Sequence, residues 1–297
     1  MKFLVAILLL LWGCSASPDV PSKWPEDMGK KYEVPEYAEA SFHEDQAIVD
    51  GRVMFDLSAV EEGYVAVSAV SEKRLKFQVD TGELYYYDLK NDGTPSIFPL
   101  QSGDGHYVFR VCENIVESSY AYIAETSVDV TMIDEFQPYL RTNDYVPYEK
   151  DSECVKLASQ FANESYSALD VIDHVFRYVC QNVTYDKAKA ETVQSGYIPD
   201  PDETLATGKG ICFDYASLTA SMLRSQGIPT KLIFGYVSPN DVYHAWNMIY
   251  TKETGWIVAE FKVDQNDWNR IDLTFSANGA DSQFIGDGGN YTDVYQY

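Results

Sequence analysis

The sequence predicts an α+β chain in which an N-terminal antiparallel β-sandwich is followed by a half of mixed helices and strands. Three observations predict it. Between about Gln46 and Val146, short apolar segments with a period of two alternate with turn signals. From residue 152 the apolar period becomes that of a helix, and two strand-like segments follow the last helix. With 297 residues, 45% hydrophobic and 23% charged, the chain is long enough for two domains with their own cores.

The first element is MKFLVAILLLLWGCSAS: Lys2, an apolar run from Phe3 to Trp12, then small residues. Spanning a bilayer takes about 20 apolar residues, and this run is shorter, so residues 1–13 read as a secretion signal. Leu11-Trp12-Gly13-Cys14 resembles the bacterial lipobox, which implies a lipid on Cys14 and an extracytoplasmic, membrane-anchored lipoprotein. Trp12 is larger than the usual residue there, and ordinary signal cleavage nearby is the alternative. Residues 14–42 carry four prolines among charged residues, the composition of a flexible tether.

The sandwich is assigned to residues 43–147, from VMFDLSAV, GYVAVSAV, RLKFQVD, LYYYDL, HYVFRVC and SYAYIAE. Turn signals separate them: Glu62-Gly63, Thr81-Gly82, Asn91-Asp92-Gly93 and Gly103-Asp104-Gly105. Nothing there pairs a nucleophile with a base, and His106 reads as a turn or strand residue, so this half is a binding or spacer module. The second half is assigned to residues 148–297. It opens with helical patterns at 152–163 and 167–182, the second with Leu169, Ile172, Val175, Phe176 and Val179 on one face and Ser167 with Asp170 as a capping box. His174 reads as a helix-surface residue, and 186–201 as a polar connection.

Charge and cysteine usage exclude several functions. A balance of 22 basic against 46 acidic residues, a formal charge of -24, repels nucleic acid. There is no CxxC pair, and the four histidines are scattered, so no metal and no cofactor are expected. Setting aside Cys14 and Cys212 leaves Cys112, Cys154 and Cys180, which argues against a disulfide framework but leaves one bridge open. Cys112 and Cys180 read as small buried hydrophobes.

Chemistry concentrates in GKGICFDYASLTASMLRSQGIP, residues 208–229. Ala216, Leu218, Met222 and Leu223 start a periodic pattern that Gly227-Ile228-Pro229 stops, so Cys212 falls in the first turn of an amphipathic helix. Unpaired N–H groups at such an end stabilise a thiolate. The strands KLIFGYV and VYHAWNMIY follow, and the second carries His244, a base suited to take the thiol proton.

Gly-x-Cys, R-S-Q-G-I-P and H-A-W-N together resemble the transglutaminase-like superfamily over about residues 150–276. The resemblance implies a papain-like α+β domain with Cys212 as nucleophile, His244 as general base and a later aspartate as third member. W-N-R-I-D-L-T-F offers Asp272, with Leu273 where the family has proline; Trp256 followed by Glu260 is the alternative. Gln181 and Tyr185 are open as oxyanion donors. The expected reaction is acyl chemistry on the amide bonds of an extracellular peptide or protein, with hydrolysis preferred over amine transfer. An idle triad on a surface binding lipoprotein is the second reading. The tail DSQFIGDGGNYTD lacks the ligand spacing of a calcium loop.

Overall fold

The structure, a computed structural model, describes residues 29–194, 196–237, 242–264, 267–277 and 291–297; at 237, 242, 260–264, 267–277 and 291–295 it describes the main chain alone. The expected signal peptide, Cys14, the first half of the tether and most of the tail from Asp281 therefore lie outside the described residues.

The period-two segments become strands β1 (Ile48–Asp50), β2 (Val53–Asp56), β3 (Tyr64–Ala69), β4 (Leu75–Asp80), β5 (Leu84–Leu89), β6 (Ser96–Pro99), β7 (Gly105–Val116) and β8 (Ser119–Val130). They pair antiparallel into two sheets, ordered β1-β2-β3-β6 and β5-β4-β7-β8. β5 shows why the pattern was readable: Tyr85, Tyr87 and Leu89 are buried and Leu84, Tyr86 and Asp88 exposed. The inner faces meet through Phe77 on β4 and Phe98 on β6, stacked at 4.5 Å. Two strands gave no signal. β1 has three residues, all exposed, and β6 follows turn residues and ends on proline.

The second half begins with α1 (Glu153–Glu164) and α2 (Ala168–Asn182). The Ser167 hydroxyl accepts the Asp170 N–H while the Asp170 carboxylate accepts that of Ser167, the expected capping box. Leu169 is exposed, whereas Ile172, Val175, Phe176 and Val179 are buried. His174 is half-buried, its ring 5.9 Å from that of Phe161, so it is less superficial than its charged neighbours suggested.

Next come β9 (Thr184–Tyr185), α3 (Lys187–Thr192), α4 (Pro201–Thr207), β10 (Lys209–Gly210) and α5 (Cys212–Arg224). The polar stretch expected as a connection thus holds α3 and the start of α4, short helices capped by the Asp186 and Asp200 carboxylates. α5 is buried from Phe213 to Arg224, so it is the central helix rather than an amphipathic surface one. α1, α2 and α4 pack on it, and β11 (Thr230–Val237) and β12 (Val242–Thr251) lie against another side. With β13 (Gly255–Asp264), β14 (Asp267–Ala277) and β15 (Tyr291–Gln296), these form an antiparallel sheet ordered β14-β13-β12-β11-β15.

Lys31 to Tyr297 is one compact unit, with a core continuous across the expected boundary at 147. Tyr145 stacks on Tyr297 at 4.2 Å, Tyr297 meets Tyr87 of β5 at 5.5 Å, and Tyr145 meets Phe213 of α5 at 6.2 Å. Residues 31–42, expected in the tether, are packed as a strap. Tyr32 donates its N–H to the Ser165 carbonyl and its hydroxyl to that of Gln226, and Tyr37 packs edge-on against Tyr148. Pro35 lies 2.6 Å from where a Cβ on Gly227 would stand, and Gly227 has φ +75°, so the close approach and the turn both need glycine. Proline and charge content hid the aromatic contacts that hold this strap.

Candidate active site

Two tightly built elements carry the site. α5 starts at Cys212 because Ile211 is extended and the buried carboxylate of Asp214 accepts the Ile211 N–H at 2.7 Å. Gly210 makes room: a Cβ there would stand 2.6 Å from the Asp214 Cβ. That contact accounts for the glycine two residues before the cysteine. β12 is fixed against α5 by Asn247, fully buried, whose side-chain amide donates to the Ala216 carbonyl at 3.0 Å and the Lys231 carbonyl at 3.2 Å. His244 is three residues earlier on the same strand.

The result brings Cys212 and His244 together. The half-buried thiol is hydrogen-bonded to the His244 ring and also receives the main-chain N–H groups of Ala245 and Phe213. Burial pushes the thiol pKa up, yet the hydrogen bond and charge of His244, followed by the two N–H groups, outweigh it and leave the pKa below its ordinary value. The other thiols differ. Cys112 and Cys154 are buried, burial raises the pKa of both, and all four described cysteines, Cys180 included, are unbridged.

Tyr185 closes a further side. β9 and β10 pair in parallel, with Tyr185 opposite Gly210, and the Tyr215 hydroxyl of α5 ties the same segment down through the Val183 carbonyl at 2.8 Å. Burial, then the charges of Cys212 and Asp214, push the Tyr185 pKa up to about 12, so it keeps its phenolic proton at neutral pH.

The side chains of Asp272 and Glu260 lie outside the described residues. Their strands are placed. Glu260 is on β13, directly beside the strand of His244, and Asp272 is on β14, one strand further out and opposite Lys262. β14 also passes beside β9 and α2. Among the described residues no three His, Cys, Asp or Glu side chains converge as a metal site needs.

The sequence reading missed Asp214 and its partners. The signal for Asp214 was present, an acid at the third position of a helix. Lys189 and Tyr197, which bind that carboxylate from 25 and 17 residues away, carried none.

Residues 155–272 match the model of the transglutaminase-like superfamily. Members of that superfamily are typically enzymes, and its fold is shared by hydrolases and acyltransferases. The UPF0252 protein MJ1282 of Methanocaldococcus jannaschii is 27% identical over 165 residues, 47% of this chain and 45% of that protein. The chain therefore spans under half the length of that curated relative. A candidate cysteine protease from Cytophaga hutchinsonii is 15% identical, with TM-score 0.38 over 77% of this chain and 89% of that one. Red sea bream transglutaminase is 14% identical, with TM-score 0.29 over 66% of this chain and 47% of that one.

Proposed function

We propose that this chain is a cell-surface cysteine hydrolase cleaving amide bonds of peptides or proteins through an acyl-enzyme on Cys212. The observation that carries the reading is the Cys212–His244 contact, which lowers the pKa of a thiol that burial alone would raise. The thiolate attacks the amide carbonyl, and the oxyanion is met by the Cys212 N–H at the helix start and the Tyr185 hydroxyl. His244 then protonates the departing amine as the C–N bond breaks. In the second half-reaction His244 takes a proton from water, the hydroxide adds to the thioester, and the acid leaves as Cys212 is freed. The third member is Asp272 or Glu260. Sheet order favours Glu260, because Asp272 stands two strands from β12, roughly 10 Å at ordinary strand spacing.

The test is digestion of a peptide library by the wild-type protein and Cys212→Ala, with a labelled amine present. Cleavage or deamidation that Cys212→Ala lacks is the expected result. Amine incorporation faster than cleavage would replace hydrolysis by acyl transfer, and identical wild-type and variant digests would leave the binding lipoprotein as the function.

The surface location rests on the lipobox-like Leu11-Trp12-Gly13-Cys14. In a bacterial host the wild-type protein is expected in the membrane fraction and Cys14→Ser outside it; equal partition of the two would remove the anchor.

A further inference from the structure

Asp214 is a carboxylate with no exposure, in the same helix turn as the reactive thiol. Both its oxygens are occupied. Oδ1 accepts the Tyr197 hydroxyl at 2.5 Å and the Lys189 ammonium at 3.1 Å, while Oδ2 accepts the Ile211 N–H at 2.7 Å and the same ammonium at 2.9 Å. Lys189 Nζ also donates to the Tyr197 hydroxyl at 2.6 Å. The Lys189 side chain is 29% exposed, so it enters from the protein surface to meet a charge that water does not reach.

These contacts join two parts of the chain. Lys189 belongs to α3 and Tyr197 to the loop after it, and the segment's other end is fixed by the Asp186 N–H to the Gly210 carbonyl at 2.8 Å. The stretch from Asp186 to Tyr197 is thereby fastened to the residues leading into Cys212. Tyr197 packs edge-on against Phe213, the residue after the cysteine, at 6.1 Å.

We propose that Lys189 is a positioning residue for the reaction, cancelling the buried charge of Asp214 so that Cys212 can also be an anion at the start of α5. Asp214 is needed as a helix cap and as the hub of the latch, but uncompensated it opposes a second negative charge within the same helix turn. Lys189 resolves the conflict by holding the latch closed and leaving Asp214 and itself neutral as a pair. The groups acting on Cys212 are the His244 ring and the Ala245 N–H from β12 and the Phe213 N–H of its own helix, and Tyr185 of β9 is close to both Cys212 and Asp214; Lys189 and Tyr197 hold the Asp214 carboxylate, and Glu260, Lys262 and Asp272 are on β13 and β14.

The inference rests on Cys212 being the reactive thiol, and one measurement separates the two. Iodoacetamide labelling of Cys212 is followed by peptide mass spectrometry from about pH 5 to about pH 10, with folding checked by near-UV circular dichroism. If wild-type Cys212 labels no faster than Cys180 near neutral pH, the catalytic reading fails and the latch with it. Given fast wild-type labelling, Lys189→Met is expected to move the labelling midpoint up by about one pH unit. Lys189→Arg is expected to stay near wild type, and Lys189→Met with Asp214→Asn to return toward it. A wild-type midpoint in Lys189→Met, or a double variant as impaired as the single one, overturns the proposal. Should Lys189→Met alone fail to fold, the double variant decides: a midpoint near wild type supports charge cancellation, and a raised midpoint or no folding refutes it.

Discussion

His244→Ala is expected to reduce amide cleavage about a thousandfold, the scale of losing a positioned general base. The same change should move the labelling curve of Cys212 toward alkaline pH. The sign follows from the forces on the thiol. Burial raises its pKa, and the largest opposing contributions come from the hydrogen bond and charge of His244. Without the ring, only the smaller contributions of the Ala245 and Phe213 N–H groups oppose burial, so the pKa rises. At neutral pH the thiolate fraction falls, and labelling slows with it. The Tyr297–Tyr145–Phe213 packing and the Asn247 anchor do not involve the ring, so the fold should persist. Labelling of His244→Ala as fast as wild type at neutral pH would mean that helix-end N–H groups alone activate the sulfur. Asp272→Asn and Glu260→Gln in the same assays identify the third member: the variant that lowers cleavage toward the level of His244→Ala carries the acid, and the other should be near wild type.

What could be read from the sequence divides along physical lines. Alternation in β5 and the capping box at Ser167 are local properties, set by burial on one face or by atoms three residues apart, and the chain displays them directly. Cys212 and His244 were legible for a related reason. Each is marked by its immediate neighbours, glycine before the one and Ala-Trp-Asn after the other, and those neighbours have structural work: Gly210 admits Asp214, and Asn247 pins β12 to α5. Lys189 and Tyr197 were illegible because their function is a meeting across 25 and 17 residues, with nothing local to distinguish them from surface residues. The boundary at 147 failed to predict a break in packing because Tyr87, Tyr145 and Tyr297 make one aromatic core from three distant parts of the chain. The same blindness hid the strap at 31–42, whose contacts with Ser165 and Gln226 lie more than a hundred residues away.

Arg224→Ala is expected to cost about 3–5 kcal/mol of stability, the scale of breaking a buried polar cluster and leaving a cavity. Arg224 ends α5 and is 1% exposed. Its guanidinium donates to the main-chain oxygens of Thr230 at 2.8 Å, Arg141 at 2.8 Å and Tyr297 at 2.6 Å. Those oxygens belong to the start of β11, the connection out of the sandwich half, and the residue after β15, so one side chain joins three segments. Burial pushes its pKa down to about 10, with the charges of Tyr148 and Tyr139 opposing, and it therefore stays charged at neutral pH. Alanine would take a donor from three main-chain oxygens at once, of which that of Tyr297 keeps the Leu232 N–H at 2.8 Å. Lysine would keep the charge but not the fork that reaches three directions, so Arg224→Lys should recover only part of the loss. At the usual scaling for a chain of this size, the alanine variant should melt about 10 °C below wild type. A melting temperature within about 2 °C of wild type would show that water replaces the guanidinium at those oxygens. The arginine before Gly-Ile-Pro would then need a role other than holding the segments together.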